Sequence, residues 1–271
     1  MGPLLTSAVV AELRGAAEAR IAHVRCSLDL GRSTTEVEVG ATEWTWRGLA
    51  YPHLVRCKER TIYYWDGDAF QPAARFVDAH IKLVPTEWGV PTFEIDGIKM
   101  LPSADGSPYE DAARKVAFVE PAGKRVLDTC GGLGYFAAWS LEYGATEVLS
   151  FERSAEVLWL RSLNPWSPPP QPRLRLTHGD CTGPVAALPS GSVDAILHDP
   201  PRFGIAGELY SSALYQQFAR VLGRRGRLFH YTGAPNSRSR GRDLAAEVAT
   251  RLRAAGFVTE PTSDGVVGIK R

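Results

Sequence analysis

Apolar residues recur at helical spacing over residues 6–24, which predicts a helix packed on one face. After Gly31 the spacing shortens. Val37, Val39, Trp44 and Trp46, then Ile62, Tyr63, Tyr64 and Trp65, mark short strands between turn residues. Asp66-Gly67 is a hairpin signal. Residues 81–84 and 92–95 continue the pattern, with Asp96-Gly97 as another turn. The stretch 102–108 reads as a linker and 109–119 as a helix. Beyond it the pattern changes. The apolar run at 126–128 reads as a buried strand, and 147–151, 174–177 and 193–198 as the strands that follow it. A helix at 208–222, a strand at 227–232, a helix at 242–255 and strands at 257–261 and 265–270 complete the prediction.

The expected organisation has three parts. Residues 1–101 form an N-terminal helix and a small β-rich accessory domain, 102–122 a linker and lead-in helix, and 123–271 an α/β core. A chain of 271 residues is long enough for a core plus an accessory domain.

Bulk properties exclude more than they identify. A formal net charge of +1 gives no general electrostatic case for nucleic-acid binding, though it permits a local basic patch. No apolar run approaches a membrane span, so no membrane partner is expected. The first residues mix Glu12, Arg14, Glu18 and Arg20 into apolar sequence, unlike a secretory signal. Cys26, Cys57, Cys130 and Cys181 show no C-x-x-C pairing. A reducing cytoplasm is the simplest setting, and no metal site is expected. Trp44, Trp46, Trp65 and Trp88 precede residue 100. Such aromatics can stack flat substrates such as bases; filling a small core is the commoner use.

The most informative stretch is Val126-Leu-Asp-Thr-Cys-Gly-Gly-Leu-Gly-Tyr-Phe136. It reads as a buried strand, a glycine turn and the opening of a helix. Asp128 ends the strand, and Gly132 and Gly134 permit close backbone approach to a ligand. The next strand ends in Glu152, whose carboxylate can accept both hydroxyls of a ribose. A glycine turn with an acid about 20 residues on is the pattern of an adenosine site in a doubly wound sheet.

The spacing Asp-x-Cys-x-Gly-x-Gly resembles the first motif of class I S-adenosylmethionine (SAM) methyltransferases, D/E-x-G-x-G-x-G. Cys130 replaces the first glycine, so a positive φ is not expected there. Further matches follow in order: Asp180 after the third strand, and Asp199-Pro200-Pro201-Arg202-Phe203 after the fourth, in the place of (D/N/S)-P-P-(Y/F/W). The resemblance covers residues 123–271 and implies a Rossmann-like, seven-stranded SAM-methyltransferase sheet. A closer resemblance is to a mainly archaeal, uncharacterised group similar to spermidine synthases. It rests on Leu163-Asn-Pro-Trp-Ser167, Gly207-Glu-Leu-Tyr-Ser211, Phe229-His-Tyr-Thr-Gly233 and the run from Pro91 to Met100.

The resemblance implies SAM as cofactor, held by Asp128, Cys130, Gly132, Gly134, Tyr135, Glu152, Asp180 and Asp199. It implies that Asp199 and the Pro200 carbonyl orient an acceptor amine, with Tyr231 as a further catalytic candidate. Arg202, Phe203 and Tyr210 are the substrate-binding candidates. The family's aromatic is displaced by one position to Phe203, which argues against base methylation and leaves room for an anionic substrate on Arg202. His198 is expected to pack at its strand end, and Arg238, Arg240 and Arg242 to form a solvated loop. The expected activity is methyl transfer to nitrogen of a small molecule or RNA. The alternatives are aminopropyl or aminocarboxypropyl transfer of spermidine synthase type, and a non-catalytic SAM- or nucleotide-binding module. Oligomeric state is not legible.

Overall fold

The computed structural model describes residues 2–201, 206–233 and 243–271. The candidates Arg202 and Phe203 and the arginines 238, 240 and 242 lie outside them.

The chain divides into two compact units. One comprises Met1–Tyr109 with Trp159–Trp166, the other Glu110–Leu158 with Ser167–Arg271. The short segment 159–166 belongs to the first unit through its aromatics. Trp166 Nε1 donates to the Leu30 carbonyl at 2.9 Å, and the Arg75 guanidinium lies 3.8 Å from the Trp159 ring centre.

In the first unit helix α1 (Ser7–Ala19) starts on a Thr6 cap and stops at Arg20, whose backbone is left-handed at φ 56°. It ends short of the expected residue 24 because His23–Cys26 already forms a strand. The strands are β1 (Leu4–Leu5), β2 (His23–Cys26), β3 (Thr35–Val39), β4 (Glu43–Trp46), β5 (Leu49–Pro52), β6 (Tyr63–Trp65), β7 (Phe70–Pro72), β8 (Ala74–Phe76), β9 (His80–Val84), β10 (Thr92–Ile95) and β11 (Ile98–Lys99). They form three small antiparallel sheets: β1-β6-β7, β2-β3-β4-β5 and β11-β10-β9-β8. The apolar face of α1 packs with Val37, Val39, Trp44 and Tyr51. Trp44 is buried and stacks on Tyr51 at 4.7 Å, while Trp65 meets Tyr51 edge-on at 5.2 Å. These rings fill the core of the small unit.

Helix α2 (Pro108–Ala117) enters the second unit. There β12 (Arg125–Asp128), β13 (Glu147–Glu152), β14 (Leu174–His178), β15 (Val193–His198), β16 (Leu222–Tyr231), β17 (Phe257–Pro261) and β18 (Gly265–Lys270) build one sheet. Its order is β14-β13-β12-β15-β16-β18-β17. The first five strands run parallel, and β18 is antiparallel to both its neighbours. This is the expected seven-stranded, Rossmann-like sheet. Its inner strands β12, β13, β15 and β16 are apolar on both faces, with Val126, Leu127, Val148, Ile196, Leu197, Leu228 and Phe229 all buried, as a sheet covered by helices requires, whereas the edge strand β14 is largely exposed. Those helices are α3 (Tyr135–Glu142), α4 (Ala155–Leu163), α5 (Thr182–Ala187), α6 (Ser212–Val221) and α7 (Leu244–Ala254).

Two elements of the second unit also depart from the sequence expectation. The helix expected at 208–222 is a 3-10 turn, Gly207–Tyr210, followed by α6. Ser211 divides them because its hydroxyl caps α6 by accepting the Leu214 N–H. Strand β16 begins at Leu222, ahead of the expected 227, because Leu222 pairs with Val193 across a register shift.

Candidate active site

Strand β12 lies between β13 and β15, so the chain's winding reverses at its carboxyl end. Loops leaving neighbouring strands there diverge and open a crevice, the usual ligand site of such sheets. The sequence candidates Asp128, Glu152, Asp180, Asp199 and Tyr231 all lie at or just beyond carboxyl ends of the parallel strands.

Asp128 is buried and accepts the Ser150 hydroxyl at 2.8 Å. The following turn is fixed by its backbone. Gly131 N–H donates to the Phe151 carbonyl at 2.7 Å, and Gly134 N–H to Gly131 at 2.7 Å. Gly132 and Gly134 have φ of 49° and 85°, conformations that disfavour a side chain, whereas Cys130 has no positive φ. Burial pushes the Cys130 thiol well above its ordinary range, so it sits there as a neutral apolar group. Tyr135 is buried at the start of α3.

Glu152 closes the turn from the next strand. Its carboxylate accepts the Gly132 N–H at 2.9 Å and the Ser154 N–H at 2.8 Å, one on each oxygen. A carboxylate offers about four lone-pair positions. Each oxygen therefore keeps acceptor capacity for a ribose hydroxyl. Asp180, beyond β14, uses one oxygen to accept the Thr182 N–H at 2.7 Å and the Thr182 hydroxyl, which orders the start of α5. Glycine turn, ribose-type acceptor and a third strand-end acid fit an adenosine moiety.

Asp199 follows β15 and is half-buried, with Pro200 buried beside it. Among the described residues none donates a hydrogen bond to its carboxylate. Burial pushes its pKa up to about 6, opposed by the nearby Lys115 charge and reinforced by Asp111. Tyr210 is buried, and its hydroxyl donates to the Pro201 carbonyl at 3.0 Å, bracing the Asp-Pro-Pro turn. Its own carbonyl accepts Arg251 Nη1 at 2.9 Å. Burial pushes the Tyr231 hydroxyl up to about 12, with Asp199 adding to the effect, so the phenol stays neutral.

His198 and His230 are fully buried behind these groups, their rings edge-on at 4.5 Å. Burial drives the pKa of His198 down to about 4 and that of His230 well below its ordinary value. His198 packs at its strand end, as expected.

Sequence reasoning missed Asp111, Arg114 and Lys115 of α2. Lys115 is 2% exposed, its ammonium 2.6 Å from Asp111 and 4.0 Å from the Tyr231 ring centre. The i, i+4 spacing of Asp111 and Lys115 was a readable signal; it does not tell a buried pair from a solvated one.

No protein-family profile matches the chain. The fold can be placed by solved structures. A spermidine synthase in complex with the transition state analogue AdoDATO matches with a TM-score of 0.56 and 17% identity, over 73% of this chain and 72% of that one. A putative SAM-dependent methyltransferase from Listeria monocytogenes matches with a TM-score of 0.47 and 12% identity, over 60% of this chain and 99% of that one. The fold is thus one the chain shares with that spermidine synthase. The uncharacterized protein MJ1233 of Methanocaldococcus jannaschii is 40% identical over 214 residues, 78% of this chain and 73% of that protein. The chain belongs to the family of that archaeal protein. No helix among the described residues is long and apolar enough to cross a membrane.

Proposed function

We propose that the protein is a SAM-dependent transferase that moves a methyl group to the nitrogen of a small-molecule amine. The observation that carries this reading is the half-buried Asp199 carboxylate beside the crevice, to which none of the described residues donates a hydrogen bond. Asp128, the turn Cys130–Gly134, Tyr135, Glu152 and Asp180 hold the cofactor. When bound there, SAM supplies a methyl group on an electrophilic sulfonium.

Asp199 accepts an N–H of the acceptor, and the Pro200 carbonyl accepts a second. Pro201 follows it and restricts the Pro200 ψ to the extended range, so that carbonyl keeps one direction. Together they aim the nitrogen lone pair, and such positioning supplies a large share of a displacement's acceleration. Asp199 then takes the proton released from nitrogen. Tyr231, a neutral phenol at the end of the adjacent strand, and Tyr210, through its brace on Pro201, keep that geometry.

Charge favours a small acceptor over RNA. The first 109 residues hold eleven Lys and Arg against fourteen Asp and Glu, so the accessory unit offers a phosphate backbone no net positive charge. The likeness to a spermidine synthase supports a second reading, transfer of an aminopropyl group from decarboxylated SAM. Product identity separates the two. Purified protein is incubated with SAM or decarboxylated SAM and a panel of amines. S-adenosylhomocysteine marks methyl transfer and methylthioadenosine marks aminopropyl transfer. Tight cofactor binding by calorimetry without turnover on any acceptor leaves a binding module. Asp199→Ala should abolish turnover while retaining cofactor affinity; intact turnover overturns the role given to Asp199.

A further inference from the structure

We propose that Lys115 is a positioning residue for this transfer: its buried ammonium, held by Asp111 and laid on the Tyr231 ring, keeps Asp199 charged and fixes the ring beside it. The inference rests on Asp199 being the group that meets the acceptor.

A lysine so far from water keeps its charge only with compensating partners. Asp111, one turn earlier on α2, is 2.6 Å away. The Tyr231 face, 4.0 Å away, supplies a cation–π contact, worth more where water is excluded. Asp111 is also bound by Arg114 at 2.6 Å. Arg114 reaches on to Asp264 and to the Ser263 hydroxyl. These contacts tie α2 to the end of β16 and to the β17–β18 turn. His198 and His230 are register partners, so Asp199 and Tyr231 leave adjacent strands side by side.

The charge count gives Lys115 its role. Among the described residues three carboxylates, Asp111, Asp199 and Asp264, share two cations, Arg114 and Lys115. Arg114 serves Asp111 and Asp264, leaving Lys115 as the cation acting on Asp199. Among the described residues the titratable groups acting on Asp199 or acted on by it are Lys115 and Asp111 of α2, Tyr231 of β16, Tyr210 of the 3-10 turn and Cys130 of the glycine turn. The tyrosines and the cysteine are neutral near pH 7, so among the described residues only Lys115 opposes the effect of burial. A structural staple would hold α2 equally well without influencing Asp199.

The test is the titration of Asp199 itself, followed by carboxyl 13C NMR and assigned with Asp199→Asn. It needs no acceptor. It therefore stands or falls separately from the transfer reaction, which is read by product. Lys115→Met should raise the Asp199 midpoint by about one unit or more, the usual effect of losing a nearby opposite charge. Lys115→Arg should leave the midpoint near the wild-type value. Lys115→Met leaves Asp111 without one partner and threatens folding. The same substitution is therefore made on an Asp111→Asn background, where it should again raise the midpoint. A folded variant of either kind whose Asp199 midpoint is unmoved overturns the proposal, as does Lys115→Arg shifting it as far as Lys115→Met.

Discussion

Thr129 Oγ1 lies 2.7 Å from His198 Nδ1, joining the ends of β12 and β15 within the core. The other ring nitrogen is 2.9 Å from the Leu209 carbonyl, which only accepts. His198 therefore carries its proton on Nε2, and Nδ1 accepts from the threonine hydroxyl. Thr129→Val keeps the shape and removes the donor. Thermal or denaturant unfolding should show a loss of roughly 1–3 kcal/mol, the cost of an unpaired buried acceptor. Thr129→Ser should lose much less.

The same logic fixes His230, whose Nδ1–H faces the Tyr231 carbonyl at 2.9 Å while Nε2 accepts the Tyr215 hydroxyl at 2.8 Å. Both rings are neutral when folded because burial lowers their pKa. The unfolded chain takes up protons near pH 6.5, the folded His198 only near 4. Stability from His198 is fully present above about pH 6.5 and falls as pH drops towards 4. For His198 alone this is on the order of 3 kcal/mol. Asp199, raised to about 6, works oppositely: it favours the folded state at low pH and loses that contribution between about 4 and 6. Two histidines outweigh one carboxylate, so urea midpoints should fall between pH 6.5 and 4. Asp199→Asn should make the fall steeper. A flat profile in both proteins would rule out buried neutral histidines.

Gly265 faces Tyr231 across the β16–β18 ladder. A Cβ there would stand 2.1 Å from the His230 carbonyl oxygen. That atom belongs to a central strand and cannot swing away. Gly265→Ala should cost about 1–3 kcal/mol, the range for overpacking. Gly15→Ala is the control. Its Cβ meets nothing within 4 Å on helix α1, so it should be neutral or stabilising by up to about 1 kcal/mol.

The sheet was legible because its signals are local. Apolar runs, glycine turn and strand-end acids lie within a few residues of one another, and their order along the chain gives the fold. The strand ends Asp128, Glu152 and Asp199 came from the same reading. Lys115 did not, because its burial depends on Tyr231, more than a hundred residues away. Nor could the pattern place Trp159–Trp166 with the first unit, since Leu30 and Arg75 decide that from a distance. Tyr210 read as a candidate to meet substrate; its hydroxyl donates to the Pro201 carbonyl, a partner no periodicity encodes.

Glu152 holds the glycine turn and is assigned to the ribose, so one substitution tests both. Glu152→Gln places an NH2 against either the Gly132 or the Ser154 N–H, donor facing donor. Calorimetry should show S-adenosylhomocysteine binding weakened roughly tenfold to a hundredfold, the loss of charge-assisted hydrogen bonds. The melting temperature should also fall. Weakened stability with unchanged affinity would leave Glu152 as a turn clamp only.

In the proposed transfer Asp199 must be ionised to accept the acceptor's N–H, and its pKa is raised to about 6 by burial against the opposing Lys115 charge. Below that value the carboxyl is protonated and offers a donor where the amine needs an acceptor. Turnover at saturating cofactor should therefore rise tenfold per pH unit on the acid side and level off above the Asp199 pKa. A bound sulfonium adds positive charge near the carboxylate, so the limb in kcat should lie below the limb for the free enzyme. Asp199→Asn removes the titrating group. Its residual rate should lie about two to four orders of magnitude lower and lack the limb. A limb that survives in Asp199→Asn assigns the ionisation to the acceptor amine instead.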